Sequence, residues 1–267
     1  MTKLFFYPSG QLEVVKYLVL EAHVDVNACS DSGSTPLRSA CFMTHYEVVK
    51  FLIEHGADIS KKNQNGGTCL INSVQSVELC ELLLKNGADV NAQDIQKKTA
   101  LHYAIQEHRL ETTGKFVWLA SFPSVCNDLF FSVLLLKYGA DPTIKSRFDE
   151  DALQTACLRL ANRIVSYLIN NFNYSNERIA CAYELIGCTF LDEHFNLQST
   201  VEYWKMAMYI RLNSEPIPIP KQKLVVPKKA YQFMQEFTTM EELELLDHNV
   251  DAMRIQSLLM CERILGN

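Results

Sequence analysis

The feature that most constrains this chain is an internal repeat with a period of about 33 residues. The triplet Gly-Ala-Asp occurs at 56–58, 87–89 and 139–141, and the pattern Thr-x-Leu occurs at 35–37, 68–70 and 99–101. Between these markers lie Leu- and Val-rich stretches with the spacing of amphipathic helices. A unit this short exposes an apolar face that only its neighbour can cover, so the units have to stack. The sequence therefore predicts an all-α repeat solenoid.

One repeat shows how the local sequence specifies a pair of helices. Thr35 can cap the first helix, and Pro36 suits the first helical position, where no amide donor is needed. Val48 and Leu52 follow the spacing of one helix face, which predicts the second helix. Gly56 stands where that helix must end, because glycine adopts the left-handed conformation without steric cost.

These units resemble ankyrin repeats, whose first helix opens with Thr-Pro-Leu-His. We divide the chain into an atypical stretch at 1–8, an ankyrin domain at 9–170 and a helical region at 171–267. The ankyrin domain holds about five units, of which the first is partial and the third lacks two residues near Val74-Gln75-Ser76. The fourth unit, opening with Thr99-Ala100-Leu101-His102, is the closest match to the ankyrin signature.

The fourth unit also carries 19 extra residues, because Thr99 and Gly139 are 40 residues apart whereas Thr35 and Gly56 are 21 apart. We place the extra segment at 114–132, in the middle of the second helix. Our hypothesis is an unspliced intron in the gene model, since Gly-Lys-Phe at 114–116 can be encoded by GGTAAGTTT, which contains an intron's opening. A genuine insertion and a membrane span at 116–136 are the alternatives.

The region after residue 170 is predicted to be helical at 177–191, 198–212, 227–237, 240–246 and 250–264. Tyr183, Gly187 and Tyr203 lie at the spacing of a tetratricopeptide helix pair. A short basic run at 221–229 is interpreted as a solvated linker face rather than a nucleic-acid contact, because the chain carries a formal charge of −6.

Longer motifs resemble the feminization (Fem) proteins. They are Ser-Thr-Pro-Leu-Arg-Ser-Ala-Cys-Phe at 34–42, Tyr-Glu-Leu-Ile-Gly-Cys-Thr-Phe at 183–190, Glu-Tyr-Trp-Lys-Met-Ala-Met at 202–208 and the ending Glu-Arg-Ile-Leu-Gly at 262–266. The resemblance covers nearly the whole chain apart from its first eight residues and the extra segment. It implies a tetratricopeptide-like fold for 171–267.

The resemblance implies a non-catalytic substrate receptor of cullin-RING ubiquitin ligases, which binds C-terminal degrons in its ankyrin groove. It implies the following groove residues: Arg38, Ser39, Phe42, Met43, Asn72 and Tyr103. Degron-bearing substrate proteins would be the partners, and elongin and cullin would join only if the full-length gene carries the C-terminal segment that this chain lacks. The family's turn after Phe42 usually reads Asp-Gly-His, whereas Met43-Thr44-His45 stands here. Arginine-end recognition, which uses that aspartate, is therefore not carried over.

Other classes of function find little support. The sequence holds no phosphate loop, dinucleotide fingerprint, metalloprotease helix or nucleophile elbow, so we predict neither an enzyme nor a cofactor. Cys41 and His45 lie one helical turn apart, but both are ordinary ankyrin positions and no metal site is predicted. Nine unpatterned cysteines and the lack of a signal-like start favour the cytoplasm. A general ankyrin scaffold and a non-functional fragment are the alternative interpretations.

Overall fold

The computed structural model describes residues 12–107, 127–215, 217–221, 229–246 and 249–266, with the backbone alone at 127–130. It contains thirteen α-helices in the described ranges and no strand among them. The helices are α1 (Leu12–Leu20), α2 (Pro36–Phe42), α3 (Tyr46–Glu54), α4 (Cys69–Asn72), α5 (Val77–Lys85), α6 (Ala100–Glu107), α7 (Asn127–Lys137), α8 (Ala152–Leu158), α9 (Asn162–Asn171), α10 (Asn176–His194), α11 (Leu197–Leu212), α12 (Met240–Leu245) and α13 (Val250–Leu265). The predicted all-α repeat solenoid is confirmed.

The described residues up to Asp151 form one compact unit, and those from Ala152 form a second. In the first unit, α2, α4 and α6 pack side by side as an inner layer, and α1, α3 and α5 form an outer layer. The second unit contains α8 and α9, the helices of the predicted fifth repeat, and α8 packs against α10. The tetratricopeptide-like character of the helices from α10 onward stays a prediction.

Threonine caps start the inner helices as the sequence predicts. The Thr35 side chain accepts a hydrogen bond from the backbone N–H of Arg38, and Thr68 accepts one from Ile71, both at 3.2 Å. In the fourth unit His102 helps to cap the start of α6, since its Nδ1 accepts a hydrogen bond from the backbone N–H of Thr99 at 3.2 Å. Each cap satisfies an amide that has no partner inside the helix, which fixes where the helix begins.

Asparagine side chains join the loops of neighbouring repeats. The amide nitrogen of Asn27 donates to the carbonyl of Gly56 at 3.0 Å, and its oxygen accepts from the backbone of Asp58 at 2.7 Å. Asn91 makes the same two bonds two repeats later, at 3.1 and 2.9 Å. Asn91 and Gly139 are 48 positions apart in the sequence, whereas Asn27 and Gly56 are 29 apart. The same bonds form in both places, so the extra 19 residues leave this contact between repeats unchanged.

The outer helix of the fourth repeat corrects the predicted place of the extra segment. Helix α7 is continuous from Asn127 to Lys137, so residues 127–132 start the helix and do not interrupt it. Asn127 and Asp128 are residue types that favour a helix start, a signal that the sequence interpretation overlooked. The rest of the predicted segment, 114–126, lies outside the described residues.

The second unit has a core in which α10, α11 and α13 meet. Trp204 is fully buried there, and its ring lies 5.6 Å from that of Phe237. Phe237 belongs to the predicted helix at 227–237, of which the structure describes 229–237. There it has one 3₁₀ turn at 229–231 and then an irregular chain up to Thr239. Gln256 bonds to the backbone of Phe237 and of Gln235, at 2.9 and 2.8 Å, and holds this segment out of a helix. The predicted helix is wrong because a side chain from α13 competes for its backbone.

Five charged side chains lie together in the interior of the same unit. Glu184 accepts hydrogen bonds from Arg211 at 3.0 Å and from Arg263 at 2.7 Å, and Arg263 also donates to Glu236 at 2.8 Å. Lys221 lies 3.5 Å from both carboxylates with its side chain only 2% exposed, so the prediction of a solvated face is wrong for this lysine. Burial alone would raise the pKa of Glu184, but Lys221, Arg263 and Arg211 outweigh it and lower the pKa to about 2.

Candidate functional site

The inner helices of the first unit bring three of the predicted groove residues into one row. Ser39, Asn72 and Tyr103 each stand four residues after the threonine that opens their repeat. Because α2, α4 and α6 pack side by side, these equivalent positions follow one another across the inner layer. All three side chains are partly exposed, so the row is a surface and not part of the core.

Arg38 lies beside this row and connects two repeats. Its Nη1 donates to Ser34 Oγ at 2.7 Å, and its Nη2 lies 3.5 Å from Asn72 Oδ1 at the limit of a hydrogen bond. Gly67 gives the guanidinium room, because a Cβ there would lie 3.0 Å from Nη2. Within the described chain the buried Nε has no hydrogen-bond partner. Burial lowers the pKa of Arg38, yet a guanidinium stays charged. Its Nε is enclosed, so Nη2, with its long contact to Asn72, is the donor that a ligand can reach.

Phe42 and Met43 form an apolar end to the site. Phe42 is 67% exposed and Met43 is 37% exposed, although both are large apolar side chains. The neighbouring helix α4 has only four residues, against seven in α2, and it ends at Asn72. The two-residue deletion in the third repeat therefore shortens the helix that would otherwise run alongside Phe42.

Tyr103 is the last residue of the row, and its contacts with Asp94 and Lys98 were not predicted from the sequence. Its hydroxyl donates to Asp94 Oδ2 at 2.6 Å, and Lys98 Nζ lies 5.7 Å from the ring centroid. Burial raises the pKa of Tyr103, and Asp94 raises it further. Asp94 also accepts two backbone hydrogen bonds in its own turn, so its carboxylate is already engaged. Its place five residues before Thr99, where Ser30 and Asn63 stand in earlier repeats, was the available signal.

A second carboxylate missed from the sequence belongs to Glu107 at the end of α6. It stands eight residues after Thr99, as Met43 does after Thr35, so the two positions are equivalent and two repeats apart. Burial raises the pKa of Glu107. The carboxylate absent at Met43 is thus present elsewhere in the inner layer, but not next to Arg38.

Comparisons with known proteins agree with this architecture. A family model described as "Ankyrin repeats (3 copies)" matches residues 5–63 and 58–114. Protein fem-1 homolog A-like from Mus musculus is 31% identical over 257 residues, which cover 93% of this chain and 36% of the relative. Protein fem-1 homolog A from Rattus norvegicus is 32% identical over 274 residues, covering 93% of this chain and 41% of the relative. The chain belongs to the Fem family of ankyrin-repeat proteins.

This member of the Fem family spans 36–41% of the length of these two relatives. A further relative, Protein fem-1 homolog C from Homo sapiens, is 35% identical over 139 residues, covering half of this chain and 21% of the relative. In the part of the chain that the structure describes, no group of three His, Cys, Asp or Glu residues is arranged to hold a metal ion. No helix of that part is both long and apolar enough to cross a bilayer.

Proposed function

We propose that the inner face of the first unit binds the C-terminal end of partner proteins, and that the chain is the non-catalytic recognition part of a ubiquitin-ligase substrate receptor. The observation that carries this is Arg38, a partly exposed cation beside a row of polar side chains, whose Nη2 has only a long 3.5 Å contact to Asn72 Oδ1. Membership of the Fem family supports the ligase connection. Elongin and cullin would be partners only if the full-length gene carries the corresponding C-terminal segment.

A terminal carboxylate suits the donors of Arg38. Guanidinium–carboxylate hydrogen bonds are charge-assisted and are roughly twice as strong as neutral ones. Within the groove, Ser39 and Asn72 carry hydroxyl and amide groups that can bond to the backbone of an extended peptide. The 3.5 Å contact between Arg38 and Asn72 is long enough to be exchanged for a shorter bond to a ligand.

The same residues argue against catalysis at this site. The hydroxyl of Tyr103 is bonded to Asp94, and the ring of His102 is 1% exposed. His102 Nδ1 accepts from the Thr99 amide and Nε2 lies 3.2 Å from the Glu150 carbonyl, which leaves neither nitrogen for a substrate. Burial lowers the pKa of His102 and keeps the ring neutral. Binding, without bond making, is what this arrangement supports.

A general ankyrin scaffold is the second candidate function, and one observation favours it. Ile95 and Phe148, at the tips of consecutive turns, are 65% and 60% exposed. The backbone N–H of Arg147 donates to the Gln96 carbonyl at 2.7 Å and keeps the two tips together. Exposed apolar side chains held side by side are typical of protein interfaces. Purification of the full-length protein from cells separates the candidates, because only a substrate receptor should bring elongin and cullin with it.

Peptide binding can be tested with the chain itself. A pool of random ten-residue peptides with free C-termini should be retained on the immobilised chain about tenfold better than the same pool with amidated ends. Arg38→Gln should abolish that difference. Arg147→Gln is the matched control, since Arg147 is an exposed arginine of the same unit outside the groove. Equal retention of the free and amidated pools by the unmodified chain would refute the assignment.

A further inference from the structure

We propose that this groove selects partners whose last residue is apolar, with Phe42 and Met43 as the residues that determine the choice. The inference rests on the proposed function, because it takes the terminal carboxylate to lie at Arg38. It concerns the side chain of the peptide's last residue, whose preferred chemistry is set by the residues at the end of α2.

Arg38 and Phe42 are four residues apart in one helix, so their Cβ atoms lie on the same face about 5–6 Å apart. The Arg38 guanidinium itself reaches back to Ser34 and across to Asn72. A carboxylate held by Arg38 therefore brings the last side chain of the peptide within reach of Phe42. Met43 follows directly at the end of the helix, where its backbone N–H bonds to the carbonyls of Ser39 and Cys41. The position of Met43 is thus fixed, while its flexible thioether side chain can adapt to an apolar ligand.

The exposure of these side chains is what an apolar ligand residue would remove. Phe42 is 67% exposed at the end of α2, where the neighbouring α4 ends four residues after its cap. Covering apolar surface stabilises a complex in proportion to the area removed from water. A leucine or phenylalanine at the end of the peptide gains from this contact, whereas a charged side chain would lose hydration there.

Among the described residues, no carboxylate of the inner layer is available to a basic last residue at this place. Asp94 is bonded to Tyr103 and to its own turn. Glu107 stands two helices away from α2, at a spacing of about 8–10 Å per helix, which is beyond the reach of a residue anchored at Arg38. Glu47 belongs to the outer helix α3. The cation nearest the bound end would be Arg38 itself, which repels a second positive charge.

The test uses the full chain and four pools of ten-residue peptides that are random except for a fixed last residue: Leu, Phe, Ser or Arg. Each pool is prepared with free and with amidated ends, and retention on the immobilised chain is measured. We expect the Leu and Phe pools with free ends to be retained about tenfold better than the Arg pool. Met43→Asp should raise retention of the Arg pool at least fivefold. Met43→Leu, the matched control, should keep the preference of the native chain.

The outcomes separate this inference from the proposed function. Retention that needs a free carboxylate but favours Arg ends, or shows no preference, overturns apolar selection and leaves the groove assignment standing. Retention that ignores the carboxylate, or no retention of any pool, overturns both. If Met43→Asp gives the same profile as Met43→Leu, the selecting role of Met43 is refuted. Far-UV circular dichroism of each variant shows that it is folded.

Discussion

Replacement of Gly187 by alanine sets local helix propensity against tertiary packing. Gly187 lies in the interior of α10, where alanine is favoured over glycine by about 1 kcal/mol. A Cβ at this position would lie 2.5 Å from Trp204 Cδ1 and 2.6 Å from its Nε1, and 3.1 Å from the Thr200 carbonyl oxygen. Carbon atoms do not approach so closely, so the indole has to move.

The indole has little freedom to move. Trp204 is completely buried, and its Nε1–H donates to the Glu184 carbonyl at 3.2 Å. Overpacking a core costs about 1–3 kcal/mol, and a lost buried hydrogen bond about 1 kcal/mol or more. After the gain in helix propensity is subtracted, we expect Gly187→Ala to lower the free energy of unfolding by about 2 kcal/mol.

Urea denaturation followed by far-UV circular dichroism measures this difference as a shift in midpoint. Trp204→Leu provides the control, because it removes the ring that the new methyl group would meet. In that background Gly187→Ala should be neutral or stabilising, and the two substitutions should therefore be coupled. An alanine variant at least as stable as the native chain, or an equal cost in both backgrounds, would refute the reasoning.

Three further predictions concern hydrogen-bonded or charged side chains. Glu184→Gln should cost about 3 kcal/mol, because it leaves buried cations without their carboxylate. Since the pKa of Glu184 is about 2 in the folded chain and ordinarily 4.5, native stability should fall as the pH drops from 4.5 towards 2. Unchanged urea midpoints over that range would contradict this. Asn91→Ala should lower the free energy of unfolding by about 1–2 kcal/mol, measured by thermal unfolding, because two inter-repeat hydrogen bonds are lost. The control Asn86→Ala removes one local hydrogen bond and should cost less. Equal costs for the two variants would refute the role of Asn91. Because burial lowers the pKa of His102, native stability should fall as the pH drops below 6.5, the ordinary pKa of histidine. His102→Gln should remove that pH dependence in urea titrations at pH 5 and pH 7. Identical pH profiles of the native chain and the variant would refute this prediction.

Much of the first unit could be predicted because its rules are local. Thr35 and Thr68 cap helices at the residues that the repeat pattern indicates, and Gly56 adopts a positive φ of 85° after α3. The row formed by Ser39, Asn72 and Tyr103 also follows from position in the repeat, because equivalent residues of stacked units become neighbours.

The errors occurred where distant residues decide the outcome. The predicted helix at 227–237 fails because Gln256 takes up the backbone of residues 235 and 237. Lys221 looked like part of a solvated basic run, yet the carboxylates that draw it inward come from Glu184 and Glu236. Neither partner is near in sequence, and no spacing rule connects them.

The sequence by itself determined the repeat, its period, the helix starts and the family, since each depends on residues within one unit or on the recurrence of units. Only the tertiary structure decided that Arg38 Nη2 has a single long contact, that Asp94 is already bonded, and that Phe42 is exposed. Those properties depend on what surrounds each side chain from other repeats. Burial and hydrogen bonding are set by neighbours in space, and a linear pattern does not contain them.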